Sequence, residues 1–429
     1  MYLLEGKPVP DHATFARFRS IHFAPCAKRI LAEMSGLLYE LGEISGETIF
    51  IDGTKIEACA NEYTFVWKKS VSKNQEKLLM KIADFIDECE QLYGIQIVHG
   101  DTVKMKHVKR LRRKLYALKQ EENIDFVHGI GKRKSPLQKS IETLESYLDR
   151  LKGYTKKLHI CGKRNSYSKT DPDATFMRMK EDHMLNGQLK PAYNVQIAVE
   201  NYFIVHGYVS SDRTDYNTLI PVLEKHKNAF GSILEEVTAD SGYCSEKNLL
   251  YLKRNEISSY IKLQDHEKRK TRAYSEDISK YYNMRTGIFE DEQFYICHDG
   301  RELRHLRTES KEQDGYTQTF EVYGCADCSG CEHKARCLYK YDAEKDAEKN
   351  KVMKINEQWE ELKERSHANI QSERGILKRQ TRSIQTEGHF GNIKENENFR
   401  RFNYRSADKV YKEFMLYAIG RNINKYHRF

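Results

Sequence analysis

Three carboxylates in this 429-residue chain stand where metal-dependent chemistry could use them. They are Asp52 in Ile51-Asp52-Gly53-Thr54-Lys55, Asp240 in Ala239-Asp240-Ser241-Gly242-Tyr243, and Glu387 in Thr386-Glu387-Gly388-His389-Phe390-Gly391-Asn392-Ile393-Lys394. Both aspartates fall at the ends of predicted strands beside a glycine, and the glutamate falls within a predicted helix. Hard cations such as Mg²⁺ take oxygen ligands. Two such ions ~3.5–4 Å apart clamp the attacking and leaving oxygens of a phosphodiester. Lys394 lies seven residues after Glu387, two α-helical turns along the same face. Gly388 and Gly391 thin the helix there. The structural alternatives are a turn or cap role for each aspartate and a surface glutamate for Glu387. Asp171, Asp173, Asp212 and Asp215 compete for the same site: Asp171 and Asp173 flank a proline and read as a turn, and Asp215 reads as a helix cap.

A second constellation is Cys325-x2-Cys328-x2-Cys331-x5-Cys337, with His333 nearby. Four thiols at this spacing match a tetrahedral structural zinc site, and the alternative is reduced thiols that pack. The other six cysteines are scattered singly. One tight cluster among scattered thiols argues for a reducing, cytoplasmic setting rather than a disulfide scaffold.

The chain carries 72 Lys+Arg against 63 Asp+Glu, a formal net charge of +9. Asp101–Gln120 holds a net +7 and Arg365–Phe429 a net +8, so the remainder is acidic. Two basic regions point to a polyanionic partner; the plainer reading of the first is a solvated helix face. In the second, Phe390, Phe399, Phe402, Tyr404, Tyr411, Phe414, Tyr417 and Tyr426 are interleaved with the cations. No apolar run reaches the ~18 residues a membrane span needs, and no signal-peptide pattern opens the sequence.

The elements that must position these residues follow from hydrophobic period. Residues 1–46 read as helical, with Asp11 as a cap. Thr48–Ile51 reads as a strand ending at Asp52. Apolar steps of three and four at Leu79/Ile82/Ile86/Cys89, Val108/Leu111/Leu115/Leu118 and Leu137/Ile141/Leu144/Leu148/Leu151 predict three amphipathic helices in an insertion over 70–157, with seams narrow enough for coiled-coil packing. Alternation over Tyr193–Val199, followed by Phe203–Val205 and Tyr208–Val209, predicts a hairpin with a turn at Glu200-Asn201. A helix after Thr214 or Asp215, a strand to Ala239, a helix capped by Ser245 and a strand over Ser258–Leu263 complete an α/β core with a mixed sheet. A charged, turn-rich stretch over 265–359 reads as a β-rich, Cys-containing second insertion. Helices over about Ala368–Asn396 and Ser406–Tyr426 close the chain.

The three carboxylate segments, with Thr170-Asp171-Pro172-Asp173-Ala174, Tyr193-Asn194-Val195-Gln196 and the tail Phe399-Arg400-Arg401-Phe402-Asn403-Tyr404-Arg405-Ser406, resemble in order the motifs of DDE insertion-sequence transposases. The nearest branch is the insertion-sequence group eleven-eighty-two, close to the group-four transposases. The resemblance implies an RNase H-like α/β fold: a core over 47–69 and 158–264 completed by 360–429, a helical coiled-coil-like insertion and a β-rich one. It implies Asp52, Asp240 and Glu387 as ligands of two Mg²⁺ (or Mn²⁺) ions. It implies Lys55, Arg382, Lys394, Arg400 and Arg401 as DNA contacts. Transposon-end and target DNA would be the partners, a homodimer would form on DNA, and the location would be cytoplasmic and nucleoid-associated. The sequence departs from the pattern in two places. The tyrosine and arginine that relatives carry seven and four residues before the glutamate are Gln380 and Ser383 here, with Arg382 the nearest arginine. Pro10–Arg19 resembles the end of the family's N-terminal helical domain, so residues 1–46 read as its remnant.

Two functions are therefore expected to compete: a transposase that hydrolyses DNA at element ends and transfers the 3′-OH to a target, and a catalytically inactive DNA-binding remnant.

Overall fold

A computed structural model describes residues 9–129, 131–179, 187–313 and 315–428. The chain opens with helix α1 (His12–Phe18), capped by Asp11, whose carboxylate accepts from the Thr14 amide at 2.6 Å. A π-helical turn leads into α2 (Ala24–Glu40). Strand β1 (Thr48–Glu57) is followed by the short β2 (Phe65–Trp67) and three long helices, α3 (Lys68–Tyr93), α4 (Met105–Glu121) and α5 (Pro136–Cys161). Then come β3 (Ser166–Ser168), β4 (Thr175–Arg178), β5 (Leu189–Glu200) and β6 (Phe203–Ser210). Helix α6 (Leu219–Phe230), strand β7 (Glu236–Ala239), helix α7 (Glu246–Arg254) and strand β8 (Ser258–Ile261) complete an alternating block.

These strands form a mixed sheet in the order β6-β5-β1-β7-β8, with β4 on part of β5. β1 runs antiparallel to β5 and parallel to β7, and β7 runs parallel to β8. The β5–β6 hairpin turns on Asn201 and Tyr202, both at positive φ, the geometry that matches the twist of the flanking strands. One apolar layer, with Ile49, Ile51, Val237 and Leu249, lies between the sheet and α6, α7 and α2; a second, with Ile56, Val195, Ile204 and Phe414, lies on the opposite face.

The three helices predicted in the first insertion form and share an apolar core around Ile82, Val108, Leu111, Ile141 and Leu144. After β8, two short helices, α8 (Arg272–Ser275) and α9 (Lys334–Cys337), accompany a five-stranded antiparallel sheet. Its strands are β9 (Arg285–Phe289), β10 (Glu292–Ile296), β11 (Glu302–Gln313), β12 (Tyr316–Cys325) and β13 (Val352–Ile355). The end is α10 (Glu357–Gln371), α11 (Glu373–Arg382), α12 (Gly388–Gly391) and α13 (Ala407–His427), with π-helical turns Ser383–Glu387 and Asn392–Asn396 on either side of α12. Among the described residues no helix is long and apolar enough to cross a membrane.

Two sequence expectations are corrected. β1 does not end at Asp52 but runs on to Glu57, because Thr54–Glu57 pairs with Ala192–Val195. The predicted single helix over Ala368–Asn396 is broken at Ser372, whose extended backbone and side chain cap α11 through the Gly375 amide at 3.0 Å.

Candidate active site

Asp52 lies in the middle of the central strand, opposite Ile197, with its side chain 8% exposed. Its Oδ1 accepts from the Gly53 amide at 2.8 Å. Gly53 is required by a close approach: a Cβ there would sit 2.9 Å from Cδ of Gln196. Asp240 follows β7 directly, as expected, and its Oδ1 accepts from the Gly242 amide at 2.8 Å. Gly242 is packed between carboxylates, since a Cβ there would meet Asp240 Oδ1 at 2.9 Å and Asp215 Oδ2 at 3.1 Å.

Glu387 closes the π-turn Ser383–Glu387. Ser383 Oγ donates to its Oε2 at 2.9 Å, and Thr386 Oγ1 faces Asp52 Oδ2 at 3.4 Å. Arg382 joins the two acids: Nη1 lies 3.4 Å from Asp52 Oδ2 and Nη2 lies 3.3 Å from Glu387 Oε1. The wider i→i+5 turn places Thr386, Arg382 and Glu387 together over β1. Residues 335 apart in the chain are thus bridged by one guanidinium.

Tyr243 marks the common ground of the aspartates. Its hydroxyl donates to Gln196 Oε1. Burial, then the negative field of Asp215, Asp52 and Asp240, pushes its pKa well up, with Arg382 opposing. Asp215 is the competing acid that the sequence reads as a helix cap. It does not cap α6: its Oδ1 accepts from Asn194 Nδ2 at 2.7 Å and Gln196 Nε2 at 2.8 Å. The usable signal was Asn194 and Gln196, two amides alternating on a buried strand that need a buried acceptor.

The remaining candidates divide. Asp171 and Asp173 are structural: their carboxylates accept from the Ser406 and Ala407 amides at 3.2 and 2.9 Å, fixing the start of α13. Lys394 does not share an exposed face with Glu387. It is 6% exposed, whereas the Glu387 side chain is 59% exposed. The intervening π-turn Asn392–Asn396 breaks the seven-residue return of an α-helix. Arg401 donates to the carbonyls of Ala58 (3.3 Å) and Ala60 (3.1 Å), and Arg400 pairs with Glu395 at 2.5 Å. Lys55 Nζ donates to the Arg178 carbonyl at 3.0 Å.

The thiol cluster lies where β12 meets α9. Cys325 Sγ donates to the Asp327 carbonyl at 3.1 Å, and the Lys351 amide donates to Cys328 Sγ at 3.3 Å. Burial and the neighbouring Cys328 push Cys325 up to about 11. Cys337 is also raised, by burial and by the nearby Cys297, Cys328 and Cys331. Cys297 is therefore a fifth thiol of this region, brought in by the end of β10 and invisible to a spacing rule.

Among the described residues no three His, Cys, Asp or Glu side chains close into a group that could hold a metal ion as they stand. At the acidic site the Arg382 guanidinium pairs with both Asp52 and Glu387. The donor chemistry still suits a hard cation: carboxylate oxygens from Asp52, Asp240, Asp215 and Glu387, with the hydroxyls of Thr386 and Ser383 beside them.

Residues 296–427 match a family model described as a transposase DDE domain. The matched segment contains Glu387, Arg382 and the thiol cluster; Asp52 and Asp240 lie outside it. No curated protein and no solved structure matches the chain. The similarity of the C-terminal third to that domain supports a transposase of the DDE kind.

Proposed function

We propose that the chain is a DDE insertion-sequence transposase of the group eleven-eighty-two type. It would hydrolyse phosphodiesters at element ends and pass the 3′-OH to target DNA. The observation that carries this reading is the bridge from Asp52 through Arg382 to Glu387, on the central strand of the sheet, with Asp240 and Asp215 closing on Gly242 after the neighbouring strand. The strand order β6-β5-β1-β7-β8 supports an RNase H-like core, with one acid on its central strand and one following the neighbouring strand.

Asp52, Asp240 and Glu387 would hold Mg²⁺ or Mn²⁺. When bound, the two ions lower the pKa of an attacking water and neutralise charge on the phosphate and leaving oxygen. The protein's own residues supply position. Gly53 and Gly242 amides fix the inner oxygens of the two aspartates, leaving their outer oxygens directed elsewhere. The Gln196–Asn194–Asp215 network holds the floor of the site rigid. Arg382 neutralises Asp52 and Glu387, and it sits where a phosphate would also find a cation. The net positive charge of the C-terminal block supports DNA as the partner, and the reading includes a homodimer formed on that DNA.

The test is cleavage of duplex DNA carrying the element's own flanks, with Mg²⁺ and with chelator. Asp52→Asn and Glu387→Gln should each lower cleavage at least ~10³-fold, the scale on which charged catalytic groups act, while leaving DNA affinity within a few fold. Metal-independent cleavage, or full activity in either variant, rejects the reading. In the same preparation Cys325, Cys328, Cys331 and Cys337 are proposed to bind one structural Zn²⁺; zinc below stoichiometry in metal analysis rejects that part alone.

A further inference from the structure

Helix α4 carries its cations in two sets. Arg112 pairs with Glu145, Lys114 Nζ donates to the Gln96 carbonyl at 3.0 Å, and Lys119 Nζ lies 4.1 Å from the centre of the Phe126 ring. These three are engaged within the insertion. Lys106, Lys109, Arg110 and Arg113 are exposed, and among the described residues no carboxylate pairs with any of them. At 3.6 residues per turn they fall within roughly 100° of arc, opposite the buried seam of Val108, Leu111 and Leu115. The same face continues through Ala117 and Gln120, both exposed, and holds no acid. α4 packs chiefly on α5, and α5 in turn on α3, which leaves the outer side of α4 open among the described residues.

Stability does not account for this pattern. Lys106 and Arg110, and Lys109 and Arg113, are like charges four residues apart, a spacing at which they repel. The first turn holds no acid, although the helix dipole favours one there, and Lys106 and His107 stand in its place. The positive field registers at His107, whose pKa is lowered by burial and then by Lys106, His99, Lys104 and Arg110. The neighbouring surface shows what a merely solvated face looks like: Lys134 pairs with Glu142 at 2.6 Å and Lys152 with Asp149 at 3.2 Å. An open, self-repelling row of cations calls for a polyanion. From Lys106 to Arg113 the helix rises roughly 10 Å, a length over which one strand of a duplex sets about three phosphates along its axis.

We propose that the outer face of α4 binds the phosphate backbone of duplex DNA, with Lys106, Lys109, Arg110 and Arg113 as its contacts. The proposal rests on the transposase reading. It gives the helical insertion a task, and it uses residues that belong to neither the acidic site nor the C-terminal basic block.

The experiment measures duplex affinity against salt for the full chain. Lys109→Gln/Arg113→Gln should lower the slope of log K against log salt by about one unit per cation, as loss of phosphate contacts does. Lys109→Arg/Arg113→Lys should keep the wild-type slope, which separates lost charge from lost fold. Lys139→Gln/Lys156→Gln on α5 removes the same charge elsewhere and should change the slope less. An unchanged slope in the α4 glutamine pair, with wild-type binding and cleavage intact, overturns the α4 surface and leaves the transposase reading standing. Equal slope changes in both glutamine pairs also overturn it, since the effect is then net charge. Sedimentation covers the other occupant: self-association without DNA that the α4 glutamine pair abolishes, with the DNA slope unchanged, makes the face a contact between copies and overturns DNA as its partner. Wild-type protein that binds no duplex overturns both the surface and the transposase reading.

Discussion

The helical insertion and the stretch over Glu373–Asn396 are both helical, and they are held by opposite means. The insertion buries Ile82, Val108, Leu111, Leu115, Ile141, Leu144 and Leu148 almost completely along three regular seams. The C-terminal stretch turns polar groups inward, with Gln385, Thr386, His389 and Lys394 buried, while Ile376, Leu377 and Ile384 face outward. Its first half docks on the sheet through charge, Arg374 and Lys378 on Glu236 and then Arg382 on Asp52, and only Phe390 and Ile393 of Glu373–Asn396 join the apolar core. Apolar seams tolerate changes of pH and fix only shape. Charged docking fixes which atoms face each other, which is what a site needs, at the cost of sensitivity to pH and to ligands.

The largest effect expected from breaking this contrast lies in the insertion. Leu111→Ala removes a fully buried side chain from the middle of α4 and should cost about 2–5 kcal/mol. The loss should stay local. Hydrogen exchange should rise across residues 68–161, and protection in β1, β5 and β7 should hold. Exchange rising equally in the core sheet would mean that the insertion and the core share one cooperative unit.

The same contrast explains what could be read from the sequence. The insertion helices, the β5–β6 hairpin and the alternation of β7, α7 and β8 were legible because apolar period reports burial directly. Asp240 was legible because a strand followed by Asp-Ser-Gly is a local pattern. Glu387 could be placed in a helix, but Lys394 could not be placed on its face: two π-turns shift the phase, and nothing apolar repeats there to reveal them. Asp215 reads as a cap from sequence because its partners, Asn194 and Gln196, come from a distant strand. Cys297 was hidden for the same reason, being joined to its neighbours by the pairing of β10 with β11 rather than by spacing.

A middle-sized effect concerns Glu236 at the base of β7. Burial works against its charge, but Arg374, Lys378 and Tyr260 outweigh that and hold it down at about 2. A carboxylate lowered on folding stabilises the fold fully above its ordinary value of 4.5, and this is lost as pH falls towards 2. The linked stability is roughly 2–3 kcal/mol. Thermal unfolding of wild type should therefore fall steeply between about 4.5 and about 2, and Glu236→Gln should flatten that part of the curve. An insertion-only probe, such as exchange in α4, should show no such slope. If Glu236→Gln leaves the acid limb unchanged, charged docking is not what holds α11 to the sheet.

The smallest effect on stability, and the most informative about chemistry, belongs to Arg382. Its pairs with Asp52 and Glu387 are long, at 3.4 and 3.3 Å, and the Glu387 side chain is more than half exposed, but Asp52 is buried, so Arg382→Gln should cost about 1–2 kcal/mol in chelator. Its effect on metal response has the opposite sign. With the guanidinium gone, Asp52 and Glu387 face each other as unneutralised acids, and a divalent cation no longer competes with an internal one. Ligand binding to the folded state raises stability by RT ln(1 + [L]/Kd), so a tenfold gain in affinity adds about 1.4 kcal/mol at saturating ion. The rise in melting temperature on adding Mn²⁺ should therefore be larger in Arg382→Gln than in wild type, although the variant starts lower. DNA affinity measured in chelator separates the two roles that Arg382 can play. A fall there alongside the larger Mn²⁺ response means that the arginine contacts phosphate in the metal-free protein as well as holding the two acids. A Mn²⁺ response no larger than wild type means that Asp52 and Glu387 do not share an ion, and the acidic cup is then held together by Arg382 for structure alone.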